Sequence, residues 1–386
     1  MRDRKRPLPF FPLPLFSGIA IPACVFATIA VGCANDTTEP SSASSASRAA
    51  RAPTLTPQQS GTANRLQAIS PVDASVVWAS GVRGTYALTT DGGATWRARV
   101  VPGAETLQFR DVQGVSDKIA YLLAAGVGTD SRVYKTVDGG DTWTLEFENQ
   151  DPNGFYDCFA FWSPTRGIAM ADSVNGRFPV IVTADGETWT DIGDRLPAAL
   201  PGESAFAASG TCIATQGARR AWIATGAAER ARVLATTDGG QTWAAFDTPI
   251  VQGTPSSGGF SVAFRDARHG ILGGGELAAP TALSNNFARS RDGGRTWQLG
   301  TQTPFPGAIF GLSYALAPDG DDDEGDQEDD GVMVVATGPG GTSWSPDEGT
   351  TWFTLAGVTN FWAVAFANPS TGWLVGTRGR ILRIDF

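Results

Sequence analysis

The sequence predicts an all-β chain, a seven-bladed β-propeller of four-stranded antiparallel blades closed by a strand from its N-terminal side. Three observations carry that expectation. One octapeptide recurs six times at spacings near fifty residues, short apolar strands flank each copy, and a last strand-rich unit lacks both the octapeptide and a fourth strand. A repeat of this period built from several short strands per unit is the mark of propeller architecture.

The octapeptide is Thr89-Thr90-Asp91-Gly92-Gly93-Ala94-Thr95-Trp96, repeated over 136–143, 236–243, 290–297 and 345–352, with a copy one residue shorter over 183–189. Its aspartates, Asp91, Asp138, Asp185, Asp238, Asp292 and Asp347, are 47, 47, 53, 54 and 55 residues apart. The pattern is that of a hairpin turn. A Ser/Thr hydroxyl and an Asp carboxylate take up the turn's own N–H groups, and the second glycine permits a positive φ. The tryptophan then starts the next strand with a large apolar face. All six aspartates are therefore expected to be structural.

Two strands precede the first copy, Val76–Ser80 and Thr85–Thr89. Equivalent second strands are expected at Ala120–Ala125, Gly167–Asp172, Ala221–Thr225, Gly270–Gly274 and Met333–Thr337. An apolar strand opens each unit, as in Tyr156–Trp162 and Phe260–Phe264. The last unit offers Phe361–Phe366, Gly372–Gly376 and Arg380–Ile384, and Thr54–Ser60 is expected to supply its fourth strand, which hides the chain's edges. Residues 54–386 make 333, or about 48 per blade, in keeping with the spacings.

The octapeptide resembles the Asp-box, or bacterial neuraminidase repeat, of sialidases, sortilins and xyloglucanases, where it lies on the outer rim of a propeller blade. Gln59-Ser60-Gly61-Thr62 and Gly372-Trp373-Leu374-Val375-Gly376 add a resemblance over 54–386 to the photosystem II assembly and stability factors and their non-photosynthetic bacterial relatives. That resemblance implies a non-catalytic protein that binds assembly intermediates of membrane proteins. The family's arginine-rich client patch has no residue-by-residue counterpart here, and an acidic insertion in blade six departs from it.

Residues ahead of the repeats read as an address. Met1–Arg6 is basic, 8–31 is apolar, and Ile29-Ala30-Val31-Gly32-Cys33 resembles a lipobox, with Ala30 where leucine is usual. The expectation is a signal peptide over 1–33 with lipidation at Cys33, then a Ser/Ala-rich tether over 34–53. An ordinary signal peptide or an uncleaved anchor are the alternatives, although Pro12, Pro14 and Pro22 disfavour a regular helix. Each of the three exports the domain to the cell envelope. Ala34 after the cysteine suggests the outer membrane, with the domain facing the periplasm.

The formal net charge is −10, of which nine carboxylates lie in Asp319–Asp330, leaving about −1 elsewhere. No basic footprint for nucleic acid is present. The acidic stretch fails the EF-hand pattern, since no start puts Gly sixth and Glu twelfth, and reads as a solvated insertion. His269 alone cannot build a histidine metal cluster. No metal, cofactor or catalytic set is expected.

A sialidase would need an arginine triad, a Tyr–Glu pair and a Phe-Arg-Ile-Pro strand, and Arg177-Phe178-Pro179 is the nearest string. A two-carboxylate glycosidase or a glycan-binding propeller stays open as the alternative to a protein-binding scaffold for a membrane or envelope protein. Asp157, Asp172 and Glu203, in or beside strands of blades three and four, are the candidates for an axial binding site. Cys158 and Cys212, on or next to the first strands of those neighbouring blades, are a candidate disulfide in an oxidising compartment.

Overall fold

The computed structural model describes residues 52–316 and 331–386. Cys33, the rest of the leader, the tether up to residue 51 and the acidic stretch 319–330 lie outside the described residues. The described chain forms seven antiparallel sheets of four strands each. In blade 1 these are Leu66–Pro71, Val77–Gly81, Thr85–Thr89 and Arg97–Val100.

The first strand of each blade packs against those of the blades on either side, so these strands ring the central axis. In order they are Leu66–Pro71, Phe109–Gly114, Tyr156–Ser163, Ile213–Gln216, Ser257–Phe264, Gly311–Tyr314 and Phe361–Asn368, and the last meets the first. Second and third strands such as Val77–Gly81 and Thr85–Thr89 are buried throughout, because neighbouring blades cover both of their faces. Outermost strands are short and half exposed, with charges such as Arg97 that blunt a pairing edge.

Blade 7 takes its fourth strand from the N-terminal side. Thr54–Gln59 pairs with Arg380–Asp385, from Thr54 opposite Asp385 to Gln59 opposite Arg380. Gln58 then ties the closure to blade 1. It donates to the Gly92 carbonyl at 3.0 Å and accepts from the indoles of Trp96 and Trp373 at 2.9 and 3.2 Å.

The repeated turns share one hydrogen-bond scheme. In blade 2, Thr136 Oγ1 donates to Asp138 Oδ1 at 2.8 Å and accepts from Gly140 N at 2.9 Å. Thr142 gives the same carboxylate its N–H at 2.9 Å and its hydroxyl at 2.6 Å. The Thr142 hydroxyl, then its N–H, hold Asp138 down at about 2, and Thr95 and Thr242 do the same for Asp91 and Asp238. The shortened copy keeps the logic with fewer bonds, Asp185 accepting from the N–H groups of Glu187 and Thr188.

These turns also join blades. Tyr86 of blade 1 donates to the carbonyl of Gly140 in blade 2, and Trp222 of blade 4 donates to that of Gly293 in blade 5. Gly140 has φ 84°, and a Cβ there would lie 2.6 Å from the Tyr86 ring, so shape and backbone both require glycine. The tryptophans of the turns are half-buried except Trp297, and the fully buried ones are Trp78, Trp222, Trp344 and Trp373 on the middle strands. Starting the outermost strand, the turn tryptophan has a neighbouring blade on one side only.

Candidate functional site

Alternation of strand direction divides the propeller into two faces. The turns between first and second strands, and the repeated turns between third and fourth, emerge together. Gly139 and Gly293 of the repeated turns donate to Lys118 and Arg268 in the first–second turn of their own blades. His269 sits on this face, its Nδ1 2.7 Å from Asp266 Oδ2. The opposite face carries the starts of the seven inner strands, and there the chemistry concentrates.

Five inner strands begin with a β-bulge. The ladder skips Gln67, Arg110, Asp157, Phe260 and Trp362 in blades 1, 2, 3, 5 and 7. A bulge re-aims the side chain it frees from the pleat. Contacts among these residues and their neighbours run right round the axis. The Arg65 guanidinium lies 4.5 Å from the centre of the Trp362 ring, Trp362 packs on Phe310 at 4.8 Å, and Phe310 on Phe260 at 6.0 Å. Phe260 meets Phe206 at 4.2 Å, and Arg110 Nη1 donates to the Ala207 carbonyl at 2.9 Å. Between Arg65 and Arg110 the backbone supplies the link, since Val82 donates its N–H to the Arg65 carbonyl at 3.0 Å and bridges to Gln108, two residues before Arg110.

The ring has an aromatic half in blades 5 to 7 and a charged half in blades 1 to 3. In the charged half several buried polar atoms have no hydrogen-bond partner among the described residues. They are Arg65 Nε, both amide atoms of Gln67, Arg110 Nε, Asp157 Oδ2 and Asp172 Oδ1, and Trp362 Nε1 joins them from across the boundary.

Asp157 and Asp172 come together. Asp157 is 1% exposed, and Asp172 follows the strand that ends at Ala171, one residue short of the expected boundary. The two carboxyls lie close enough to act on each other's ionisation, and two like charges at that range favour one proton held by the pair. Burial, then the charge of Asp172, push Asp157 far up, so it holds the proton. Burial raises Asp172 to about 6, against hydrogen bonds from Asp157, Ser204 and Ala205 N.

Glu203 does not join them, contrary to expectation. It is fully buried and takes Arg232 Nε at 2.8 Å and Arg232 Nη2, the Thr225 hydroxyl at 2.6 Å and Leu200 N at 2.8 Å. Its oxygens are occupied, and its place is to fix the loop that carries Phe206 and Ala207 to the axis. Cys158 and Cys212 form a disulfide between blades 3 and 4 with Cα atoms 6.1 Å apart. Sequence reasoning missed Arg65, Gln67, Arg110 and Trp362. The available signal was position, since Arg110 stands 28 residues before Asp138 as Asp157 does before Asp185.

The acid pair gives a pH dependence of unusual sign. A carboxyl whose folded value is raised binds more protons folded than unfolded, so its stabilisation is present below about pH 4 and is lost as pH rises through about 6. At about 1.4 kcal/mol per unit, stability should fall by a few kcal/mol over that window, with buried Asp111 adding in the same direction. The turn aspartates act elsewhere, below their unfolded value of 3.8. Chemical denaturation at pH 4.5 and 7.5 measures this, and Asp172→Asn should flatten the difference. Equal or greater stability of the wild type at pH 7.5 would contradict the shared proton.

The sequence matches no known family profile and no curated protein. The fold matches solved structures. YCF48 bound to D1 peptide aligns with TM-score 0.59 and 17% identity over 86% of this chain and 97% of that one. YCF48 from Cyanidioschyzon merolae gives 0.58 and 16% over 86% and 98%, and the WD40 propeller domain of Doa1 gives 0.53 and 13% over 86% and 95%. At these identities the likeness is one of fold: a seven-bladed propeller resembling YCF48.

Proposed function

We propose that the chain is an exported, lipid-anchored, non-catalytic scaffold that binds a polypeptide segment of an envelope protein on the axial face opposite the repeated turns. The observation that carries this reading is the axial ring, half aromatic and half charged, with buried polar atoms that have no partner among the described residues. Protein-binding surfaces draw their energy from such aromatic and arginine anchors. YCF48, which shares the fold, has been solved bound to D1 peptide. Export and anchoring rest on the basic start, the apolar run and the sequence ending at Cys33.

The test is photo-crosslinking in membranes with p-benzoylphenylalanine at position 362, which keeps an aromatic group there. The expected result is a covalent adduct with a polypeptide. An adduct confined to glycan, or none, would overturn the reading.

A further inference from the structure

Within that proposed binding face, the arc formed by blades 7, 1 and 2 has a specific chemistry. Arg65 makes no ion pair and no side-chain hydrogen bond among the described residues, and its guanidinium rests on Trp362. Arg110 spends two of its nitrogens on neutral oxygens, Ala207 O at 2.9 Å and Gln108 Oε1 at 3.0 Å, and its Nε has no partner. The two guanidiniums are close enough for Arg65 to depress Arg110, after burial. Gln67, fully buried at the bulge of blade 1, has no partner for either amide atom among the described residues, and neither has Trp362 Nε1.

Two half-buried like charges side by side are unfavourable unless something between them is negative. Among the described residues, the neighbouring acids do not fill that need. Asp157 keeps its proton, and the pair it forms with Asp172 carries one negative charge near neutral pH. The arc is thus left with one net positive charge, which suits a monoanion better than a phosphate dianion. Two planar forks with an adjoining amide and indole match a carboxylate's two oxygens. Trp362 and Phe310 offer the bearer of that carboxylate an apolar bed.

We propose that this arc is a carboxylate site, holding one carboxylate between Arg65 and Arg110 with its apolar bearer over Trp362 and Phe310. The carboxylate is either the α-carboxylate at a chain end or an acidic side chain within a segment. The proposal rests on the polypeptide reading above.

The test uses protein expressed from the full chain and titrated with small probes followed by NMR. N-acetylphenylalanine should bind, and its carboxamide should bind about tenfold more weakly or not at all, as expected for loss of charge-assisted hydrogen bonds. Arg65→Gln should cost about tenfold in affinity with little change in melting temperature, because among the described residues the Arg65 side chain makes only its exchangeable stacking contact on Trp362. Arg110→Gln should also lose affinity, with some stability lost through Ala207. N-acetylglutamic acid α-amide carries only a side-chain carboxylate. Whichever of the two acids binds more tightly identifies the source.

Equal binding of acid and carboxamide, tighter binding of inorganic phosphate, or full affinity in Arg65→Gln would overturn the site. If N-acetylphenylalanine binds but the position-362 probe captures no polypeptide, the site stands and the polypeptide reading falls. If capture survives saturating N-acetylphenylalanine, the reading stands and the site falls.

Discussion

Replacing Glu203 with alanine will destabilise the propeller by about 3–5 kcal/mol, the range for breaking a buried ion pair by removing one partner. Glu203 is fully buried, and the Arg232 side chain is 10% exposed. Without the carboxylate, Arg232 is left with Ala198 O at 3.1 Å, and the Thr225 hydroxyl and Leu200 N lose an acceptor. The ion pair itself need not favour folding, so a Glu203→Leu/Arg232→Met double variant should lose less than Glu203→Ala alone. Urea denaturation of the two variants decides this. A loss below about 1 kcal/mol in Glu203→Ala would mean that water reaches Arg232 and the loop relaxes.

The second large effect belongs to the disulfide. Cys158 lies on the inner strand of blade 3 and Cys212 just ahead of that of blade 4, 54 residues apart and both fully buried. A loop of this size corresponds to about 4 kcal/mol of chain entropy removed from the unfolded state. The Cys158→Ala/Cys212→Ala variant should therefore unfold at a markedly lower denaturant midpoint than the oxidised wild type, and reduction should bring the wild type down toward it. Identical midpoints for oxidised and reduced wild type would show that the bridge constrains nothing.

Much of the fold was legible because it repeats. Each turn carries its own signature, since Thr136, Asp138 and Gly140 satisfy one another within five residues. The closure was legible for a different reason: three strands ending at Phe386 lacked a partner, and Thr54–Gln59 was the strand left over. The axial site was only partly legible. Asp157 stood out as an acid in an apolar strand, whereas Arg110 and Gln67 needed the bulges to bring them to notice, and in strands of six residues the one-residue phase shift of a bulge is too short a signal to read from the alternation. Glu203 was misjudged because its partner Arg232 stands 29 residues on, across the blade. A buried acid looks the same in sequence whether its partner is a ligand or the protein itself.

The central claim is that the axial face binds and the repeated turns only hold the fold. It is tested most directly by crosslinking from both faces, with p-benzoylphenylalanine at position 362 or at exposed Gln241. The same probes go into Asp91→Ala and Asp238→Ala backgrounds, which should melt a few degrees lower through loss of the turn bonds. At a temperature where every variant is folded, the account predicts a polypeptide adduct from position 362, of equal yield in both turn variants, and none from position 241. An adduct from position 241, lost when Asp91 or Asp238 is replaced, with none from position 362, would place the working surface on the turns and contradict it.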